Sequence, residues 1–365
     1  MKNNQFHTDF KLNGKSFEDT NELLAYSKQF SNVASEFLAL WFSESDVLEV
    51  QTSGSTGVPK IIKLRKKFMI NSALATGVFF NLKANTTALL CLSPEYIAGK
   101  MMLVRALVLG WNLDVIDSIS APLKTIDKRY DFSAMVPMQL QNSLEELYKV
   151  RKLIVGGGVV SKELECELQN CNTEVFATYG MTETITHIAV RKLNNFLSLR
   201  REITKQSIYR TLPNIIISQD NRGCLIINAP KVSKKEIITN DVVRLISENE
   251  FEWLGRFDNV INSGGIKLHP EKIEEKLSEI IKTRFFVIGV PDTILGEQLI
   301  LLIEGAELNT VFEKIKSLNT LSKYETPKAI YFVKEFVETE TKKIQRSKTA
   351  KLLALSKESD GFETK

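Results

Sequence analysis

The sequence contains few residues of the kinds that build disulfide frameworks or His/Cys metal centres. Its four cysteines have no repeated Cys-x-x-Cys spacing, and only three histidines occur in 365 residues. These counts argue against a disulfide-stabilised secreted domain and against a zinc-type site. We therefore expect a cytoplasmic protein whose thiols are reduced.

Long apolar runs and a strong excess of one charge are also missing. No apolar stretch approaches the roughly 20 residues that span a bilayer, and the N-terminal residues lack the apolar segment of a secretory signal. The net charge of +4 is too small to indicate nucleic-acid binding by itself. We expect no membrane insertion and no nucleic-acid partner, and the length is typical of two domains.

A polar loop with the sequence TSGSTGVPK occupies residues 52–60, between two short apolar segments. The flanking segments predict strand, loop, strand. Two glycines let the backbone present its N–H groups to a ligand, hydroxyl groups add donors, and Lys60 adds a positive charge. The loop therefore suits a polyphosphate, but it is not a Walker A loop because Pro59 precedes the lysine where that motif has glycine. Composition alone would also allow a solvated turn.

Apolar strands alternate with helix-length stretches from the loop to about residue 180. We predict strands at 88–92, 112–116, 134–137, 153–155 and 174–176. This order is typical of a parallel α/β sheet covered on both faces, with ligands beyond the carboxyl ends of its strands. Short strands at 205–255 predict an antiparallel β subdomain, and the pattern after residue 258 predicts a small α+β domain.

The loop and the motifs that follow it in order resemble the adenylate-forming superfamily, which includes acyl-CoA synthetases, peptide-synthetase adenylation domains and luciferases. The resemblance covers about 45–350 and implies an AMP-forming acid–thiol ligase that uses ATP, Mg²⁺ and coenzyme A. It implies a nucleotide- and acid-binding domain at 1–255, a hinge at 256–258 and a small mobile lid domain at 259–365. It also implies that Lys60 neutralises charge and that Thr56 lies at the metal. The implied nucleotide-binding residues of the loop are Thr52, Ser53, Gly54, Ser55, Thr56 and Gly57.

A second motif, TYGMTET, follows a predicted strand at residues 178–184. The resemblance implies that Tyr179 stacks on adenine, that Thr182 bonds the α-phosphate and that Glu183 holds Mg²⁺. These residue types suit those tasks, because a flat base needs an aromatic face and a hard cation needs carboxylate oxygen. The remaining nucleotide contacts of this region are Thr178, Gly180 and, from the GGG turn at 156–158, Gly157.

Three later motifs complete the resemblance. In Thr-Asn-Asp at 239–241, Asp241 would bond the ribose hydroxyls, and Asn240 replaces the usual glycine, whose backbone angles asparagine tolerates. In the segment at 255–265, Arg256 would reach the ribose and Asp258 would be the hinge. The glycines that would face the pantetheine channel are Gly264 and Gly265.

The last motif, ETKKIQR at 340–346, contains the implied catalytic lysine, Lys343. The family usually has glycine before this lysine, and here that position is Lys342. A lysine-rich tail is also typical of a solvated surface, so that alternative stays open.

The acid substrate is suggested by a resemblance to one branch, the o-succinylbenzoate–CoA ligases of menaquinone synthesis. The run VPMQL at 136–140 is similar to that branch's V-P-T-Q-L, whereas Tyr96 replaces its usual histidine. A dianionic acid needs a cation for its second carboxylate, and Arg105 or Lys100 could supply it. Either could instead be a helix-end cation. The predicted pocket wall includes Gly158 and His187, although an ordinary half-buried histidine is an alternative.

The sequence is compatible with several functional hypotheses. A ligase for another aryl or short-chain acid is the nearest alternative. A member that binds nucleotide but has lost catalysis is another, and it would act as a scaffold or sensor. Adenylation that feeds a carrier protein is disfavoured, because no carrier domain follows. A homodimer is compatible with the sequence but is not indicated by it.

Overall fold

The computed structural model describes residues 6–51, 61–194, 207–306, 311–338 and 344–359, with side chains up to residue 352 in the last range. The helices within these ranges are α1 (Thr20–Ser27), α2 (Asn32–Phe42), α3 (Lys66–Phe80), α4 (Ile97–Leu109), α5 (Pro137–Asn142), α6 (Lys162–Leu168), α7 (Pro270–Leu277), α8 (Val311–Lys316) and α9 (Arg346–Ser359).

The strands of the described residues fall into three sheets. In chain order they are β1 (Lys11–Leu12), β2 (Val47–Gln51), β3 (Ile61–Arg65), β4 (Thr87–Leu90), β5 (Asn112–Val115), β6 (Tyr130–Met135), β7 (Val150–Val155), β8 (Glu174–Gly180), β9 (His187–Lys192), β10 (Ile208–Thr211), β11 (Ile216–Gln219), β12 (Cys224–Asn228), β13 (Ile237–Ser247), β14 (Glu250–Arg256), β15 (Ile261–Ser263), β16 (Ile266–Leu268), β17 (Phe285–Asp292), β18 (Gly296–Glu304) and β19 (Ala329–Val333).

The largest sheet has twelve strands in the order β1-β5-β4-β6-β7-β8-β9-β10-β14-β13-β12-β11. Its first six strands are parallel, and every pairing from β8–β9 onward is antiparallel. The predicted parallel α/β sheet is thus confirmed. The antiparallel strands predicted as a subdomain continue the same sheet, because β9 pairs antiparallel with β8, the last of the parallel strands.

Apolar clusters cover both faces of the parallel strands, as predicted. One cluster joins Ala88 and Phe132 to residues of α3 and α4, and the other joins Leu89 and Leu153 to residues of α5 and α6. Successive residues of β4 therefore belong to opposite faces, which is the alternation expected of a buried strand. One predicted boundary is wrong: the strand ends at Met135, and Pro137 begins α5, a position where its fixed φ favours a helix.

The strands that flank the 52–60 loop are confirmed. β2 and β3 pair antiparallel as a separate two-stranded sheet, from Val47 opposite Arg65 to Gln51 opposite Ile61. The loop lies outside the described residues. The hairpin nevertheless brings the two ends of the loop together, because Gln51 and Ile61 are a paired register position.

The C-terminal part forms a smaller sheet of five strands, in which β19 adds parallel to β18. Its own core packs α7 and α8 against that sheet and includes Ile273, Leu277 and Leu301. Ion pairs connect α7 with the larger part, from Glu275 to Lys162 at 2.7 Å and from Lys272 to Glu252 at 2.9 Å. The boundary at 255 and the mobility of the lid stay predictions. No helix in the described ranges combines the length and apolarity needed to cross a membrane.

Candidate active site

Three side chains contact the buried carboxylate of Asp241, where the antiparallel part of the large sheet begins at β8. The Tyr179 hydroxyl donates to Asp241 Oδ2 at 2.6 Å, and Trp253 Nε1 donates to Oδ1 at 3.2 Å. The Arg256 guanidinium lies 3.7 Å from Oδ1. Burial and the neighbouring Asp241 carboxylate raise the pKa of the Tyr179 hydroxyl, so it remains a donor at neutral pH. The structure therefore unites Tyr179, Asp241 and Arg256, as the sequence predicts.

The hairpin of β13 and β14 explains how this cluster forms. Its register places Asp241 opposite Arg256 and Val243 opposite Trp253. No sequence motif contains Trp253. The signal that could have found it is the antiparallel register, which brings Trp253 and Arg256 of β14 to the aspartate. The half-buried Tyr179 ring packs edge-on against Phe251, with ring centroids 5.2 Å apart.

The cluster fits a nucleoside. It offers an aromatic ring, a guanidinium and a carboxylate on which each oxygen accepts one short or moderate hydrogen bond. A carboxylate oxygen has two lone pairs, so Asp241 can still accept from a ribose hydroxyl. The stacking of Tyr179 on adenine stays a prediction.

Asp241→Asn is expected to weaken ATP binding about tenfold to a hundredfold, because a charge-assisted hydrogen bond is lost and Arg256 loses one of its two carboxylate partners. Isothermal titration with ATP measures the effect. Asp117→Asn, at an exposed aspartate outside the cluster, is the matched control. An unchanged ATP affinity in Asp241→Asn would show that the ribose does not bind here.

A strained turn organises the TYGMTET segment. Thr182–Thr184 form one 3₁₀ turn, and Ile185 follows with φ 68° and ψ −58°. The Thr186 N–H donates to the Thr184 carbonyl at 2.8 Å, which makes a γ-turn of the rare positive-φ type. Such a conformation costs about 1–3 kcal/mol and persists only where the surroundings impose it. Ile185 is 1% exposed, so packing holds it there.

The Thr184 hydroxyl forms hydrogen bonds to both ends of this turn. Its fully buried hydroxyl accepts from the Met181 N–H at 3.0 Å and lies 2.7 Å from the Thr186 carbonyl oxygen. The turn therefore places Thr182 and Glu183 on one side of a fixed bend and Thr186 with His187 on the other. One short segment thus connects the predicted phosphate residues with the predicted acid pocket.

Glu183 is exposed in this turn, as a metal-binding carboxylate has to be. Among the described residues, no group of three or more His, Cys, Asp or Glu side chains is placed to hold a metal ion. Mg²⁺ at phosphoryl-transfer sites commonly takes one or two carboxylates and completes its shell with phosphate oxygens and water. Glu183 therefore fits as a single carboxylate ligand.

Gly180→Ala is expected to displace the strained turn, because the added Cβ would lie 2.3 Å from the Thr186 carbonyl oxygen. We expect at least a tenfold loss of activity and a loss of about 1–3 kcal/mol in the free energy of unfolding. Enzyme assays and urea unfolding measure the two effects. For stability, Gly158→Ala is the control, since its Cβ would meet no atom closer than 3.4 Å.

The GGG turn lies beside the same segment. Thr178 Oγ1 donates to the Val155 carbonyl at 3.1 Å and so joins the ends of β8 and β7. Gly157 has φ 79°, which favours glycine, and both Gly157 and Gly158 are exposed. The predicted nucleotide and acid contacts Gly157, Gly158, Thr178 and Gly180 therefore lie at neighbouring strand ends.

Arg105 is a buried cation without a counterion among the residues that the structure describes. It is 1% exposed, and no described carboxylate forms an ion pair with it. Its donors reach Thr76 Oγ1 and Thr186 Oγ1, both at 3.4 Å, and His187 Nδ1 at 3.5 Å. Burial lowers the pKa of the guanidinium from 12.5 to about 9, so Arg105 is charged at neutral pH.

His187 is 5% exposed, more deeply buried than the half-buried histidine considered as the alternative. Burial first, and the Arg105 charge second, lower the pKa of its imidazole well below 6.5. His187 is therefore neutral at pH 7 and its Nδ1 can accept from Arg105. It also lines a cavity of about 340 Å³ with Ser72 and Ala75 of α3.

The two candidate cations of α4 differ in their surroundings. Lys100 is half-buried, and its ammonium donates to the carbonyl of Glu95, which lies before the start of the same helix. Tyr96, which replaces the usual histidine, is 54% exposed and precedes α4. Of the two cations, only Arg105 is fully buried and contacts the segment that contains Thr186 and His187.

The departure at Asn240 has a physical role that differs from the predicted one. Asn240 lies in β13 and does not adopt a positive φ, so glycine-like backbone angles are not the reason that it is tolerated. Its side chain accepts from Arg222 at 3.0 Å and donates to the Asp258 carboxylate at 3.3 Å. The asparagine therefore connects β13 with the predicted hinge residue.

Gly264 and Gly265 form the tight turn between β15 and β16, with φ 58° and 80°. Two successive positive φ values are those of the type I′ hairpin turn, which favours glycine. Their contact with pantetheine stays a prediction. The remaining predicted residues lie outside the described ranges: Thr52, Ser53, Gly54, Ser55, Thr56, Gly57, Lys60 and Lys343.

The sequence model of the family described as AMP-binding enzyme matches residues 19–221, which is more than half of the chain. This chain belongs to the AMP-binding enzymes. The predicted class, an AMP-forming acid–thiol ligase, is confirmed, and the cofactors of that class are ATP, Mg²⁺ and coenzyme A.

One relative in sequence and two solved structures show the degree of similarity. The 2-succinylbenzoate–CoA ligase of Enterococcus faecalis is 24% identical and covers 91% of this chain and 74% of its own. The structure of an acyl-CoA synthetase (AMP-forming)/AMP-acid ligase II-like protein from Dyadobacter fermentans is 36% identical, with a TM-score of 0.60, over 91% of this chain and 97% of that chain. An o-succinylbenzoate coenzyme A synthetase from Bacillus subtilis, in complex with ATP and magnesium, has a TM-score of 0.69 and 20% identity, over 93% and 83%.

Proposed function

We propose that this AMP-binding enzyme activates o-succinylbenzoate with ATP and transfers the acyl group to coenzyme A, as in menaquinone biosynthesis. The observation that carries the choice of acid is the buried Arg105, which has no described carboxylate partner. Leaving a guanidinium buried and unpaired costs several kcal/mol, of the order of 3–5 in proteins where a partner has been removed. A substrate carboxylate would supply the missing charge.

The proposed reaction has two steps. In the first step, an oxygen of the reacting carboxylate attacks the α-phosphorus of ATP. The bond between the α-phosphorus and the oxygen that joins it to the β-phosphorus breaks, and pyrophosphate leaves with that oxygen. In the second step, the sulfur of coenzyme A attacks the acyl carbon and the thiol proton passes to solvent. The bond from the acyl carbon to oxygen breaks, and AMP leaves with the oxygen that came from the carboxylate. Both reactants of the first step are anionic, so the protein must hold them together and neutralise charge.

Different residues of this chain would bind the reactants and neutralise their charge. Asp241, Arg256 and Tyr179 would hold the nucleoside, and Thr182 would bond the α-phosphate. Glu183 would hold Mg²⁺, which would neutralise charge on the phosphates. Lys60 and Lys343 would add positive charge there, with the loop residues Thr52–Gly57 as the phosphate cradle and Thr56 near the metal.

Arg105 would bind the second carboxylate of the acid. Its three polar contacts are 3.4–3.5 Å long, at the outer limit of hydrogen bonding, so the guanidinium keeps donors for a ligand. A substrate carboxylate would form charge-assisted hydrogen bonds with this buried cation, which favours a dicarboxylic acid over a monocarboxylic one. Two of the three similar proteins, from Enterococcus faecalis and Bacillus subtilis, are a ligase and a synthetase of this acid, which supports the same choice.

Incubation with ATP, Mg²⁺, coenzyme A and a panel of acids tests the proposal. We expect AMP formation with o-succinylbenzoate at a kcat/KM at least a hundredfold above that for 4-oxo-4-phenylbutanoate, the same molecule without the ring carboxylate. Turnover of monocarboxylic aryl or short-chain acids alone would identify the near alternative. Nucleotide binding without any AMP formation would identify a member that has lost catalysis.

Further parts of the proposal concern the whole protein. A lid at 259–365 that turns about Asp258 would let Lys343 serve adenylation and Gly264 with Gly265 serve thioester formation. The four cysteines are free thiols in the structure, which supports a reducing, cytoplasmic location. A homodimer stays an alternative to a monomer, which size-exclusion chromatography with light scattering would distinguish.

A further inference from the structure

The surroundings of Arg105 form one directional hydrogen-bond network. Thr76 Oγ1 donates to the Ser72 carbonyl at 3.0 Å, one turn earlier in α3. Because its single proton is used there, this hydroxyl can only accept from Arg105 Nε, at 3.4 Å, and from His187 Nε2, at 3.5 Å. Thr76 is fully buried, so no solvent competes for its lone pairs.

The same reasoning fixes the proton on His187. If Nε2 carries the hydrogen and donates to Thr76, then Nδ1 of the neutral ring is the acceptor. Arg105 lies on that side, with a terminal nitrogen 3.5 Å from Nδ1. Each group then donates in one direction: Arg105 to His187, His187 to Thr76, and Thr76 to the backbone of Ser72. The Thr186 hydroxyl also lies 3.4 Å from Nδ1 and can donate to it. The opposite tautomer would leave Nε2 without a hydrogen beside the Thr76 oxygen, whose own proton is used on Ser72.

We propose that Thr76 and His187 are positioning residues, which hold the Arg105 guanidinium in one orientation and thereby give the site its preference for acids with a second carboxylate. This inference rests on the proposed function. Neither residue touches the reacting atoms. Thr76 accepts from Nε, and His187 and Thr186 accept from one terminal nitrogen, so the other terminal nitrogen keeps both of its hydrogens for a ligand.

Kinetics with two matched acids test the role of Thr76. Thr76→Val keeps the shape but removes the acceptor, and we expect kcat/KM for o-succinylbenzoate to fall about tenfold, mainly through KM. The value for 4-oxo-4-phenylbutanoate should stay within about twofold. Thr76→Ser, which keeps the hydroxyl, should restore most of the loss. Thr173→Val, at another buried threonine whose hydroxyl bonds a backbone carbonyl, controls for stability.

The outcomes separate the two proposals. An equal fall for both acids, no fall for either, or no rescue by serine would overturn the positioning role while the wild-type preference for the diacid stands. A wild-type enzyme without that preference would overturn the proposed function, and the positioning role with it.

A measurement on the wild-type protein covers the case in which Thr76→Val fails to fold. The chain has three histidines, so nitrogen-15 NMR can assign each ring. We expect His187 to be neutral at pH 7, with the hydrogen on Nε2 and an unprotonated Nδ1. A hydrogen on Nδ1, or a charged ring, would overturn the network. His187→Phe, which keeps a ring but removes the acceptor, should lower the preference for the diacid as Thr76→Val does.

Discussion

Arg105→Met is expected to abolish the preference for o-succinylbenzoate and at the same time to stabilise the protein. The variant removes the buried cation that would bind the second carboxylate, so kcat/KM for this acid should fall about a hundredfold or more, as truncation of a buried charge pair does. The value for 4-oxo-4-phenylbutanoate should stay within a few-fold, because that acid has no carboxylate for Arg105.

The stability effect has the opposite sign to that of an ordinary core substitution. Without a ligand, Arg105 is buried and no described carboxylate pairs with it. Replacement of a buried charge by an apolar chain of similar length can stabilise a protein by about 1–4 kcal/mol. Urea unfolding of the ligand-free protein measures it. If Arg105 were only structural, Arg105→Met would unfold more easily and would lose activity toward both acids alike.

Lys343→Ala is expected to reduce acyl-adenylate formation about a hundredfold to a thousandfold, which is the usual cost of removing one group that stabilises transition-state charge. The ATP dissociation constant should stay within about threefold. Thioester formation from added acyl-adenylate and coenzyme A should continue, because that step has a different arrangement of the lid in this proposal. Pyrophosphate exchange into ATP measures the first step alone.

The surrounding lysines provide controls for Lys343. Lys342→Ala removes its neighbour, and Lys351→Ala removes an exposed lysine of α9, so both should adenylate at nearly the wild-type rate. A wild-type rate in Lys343→Ala would show that the catalytic lysine is another residue.

The order of strands and helices was predictable because it depends on local periodicity. The continuity of the twelve-stranded sheet was not, since it depends on β9 pairing antiparallel with β8 instead of starting a separate sheet. Tyr179, Asp241 and Arg256 were found through their motifs, whereas Trp253 belongs to no motif and reaches Asp241 only through the register of β13 and β14.

The acid site shows a second limit of sequence reasoning. Thr76, Arg105 and His187 lie on α3, α4 and β9, so no local pattern connects them. The bend at Ile185 was equally hidden, because a β-branched residue with positive φ contradicts the usual preference. Only the burial of Ile185 and the hydrogen bonds of Thr184 show why the chain bends there.

Isotope transfer tests the central claim most directly. The enzyme is incubated with ATP, Mg²⁺, coenzyme A and o-succinylbenzoate that contains oxygen-18 in its carboxylates. Mass spectrometry then measures the masses of the products. If the carboxylate attacks the α-phosphorus, AMP gains one oxygen-18 for each acyl-CoA formed, and pyrophosphate gains none. Label in inorganic phosphate with ADP as the product, or acyl-CoA without label in AMP, would contradict the account.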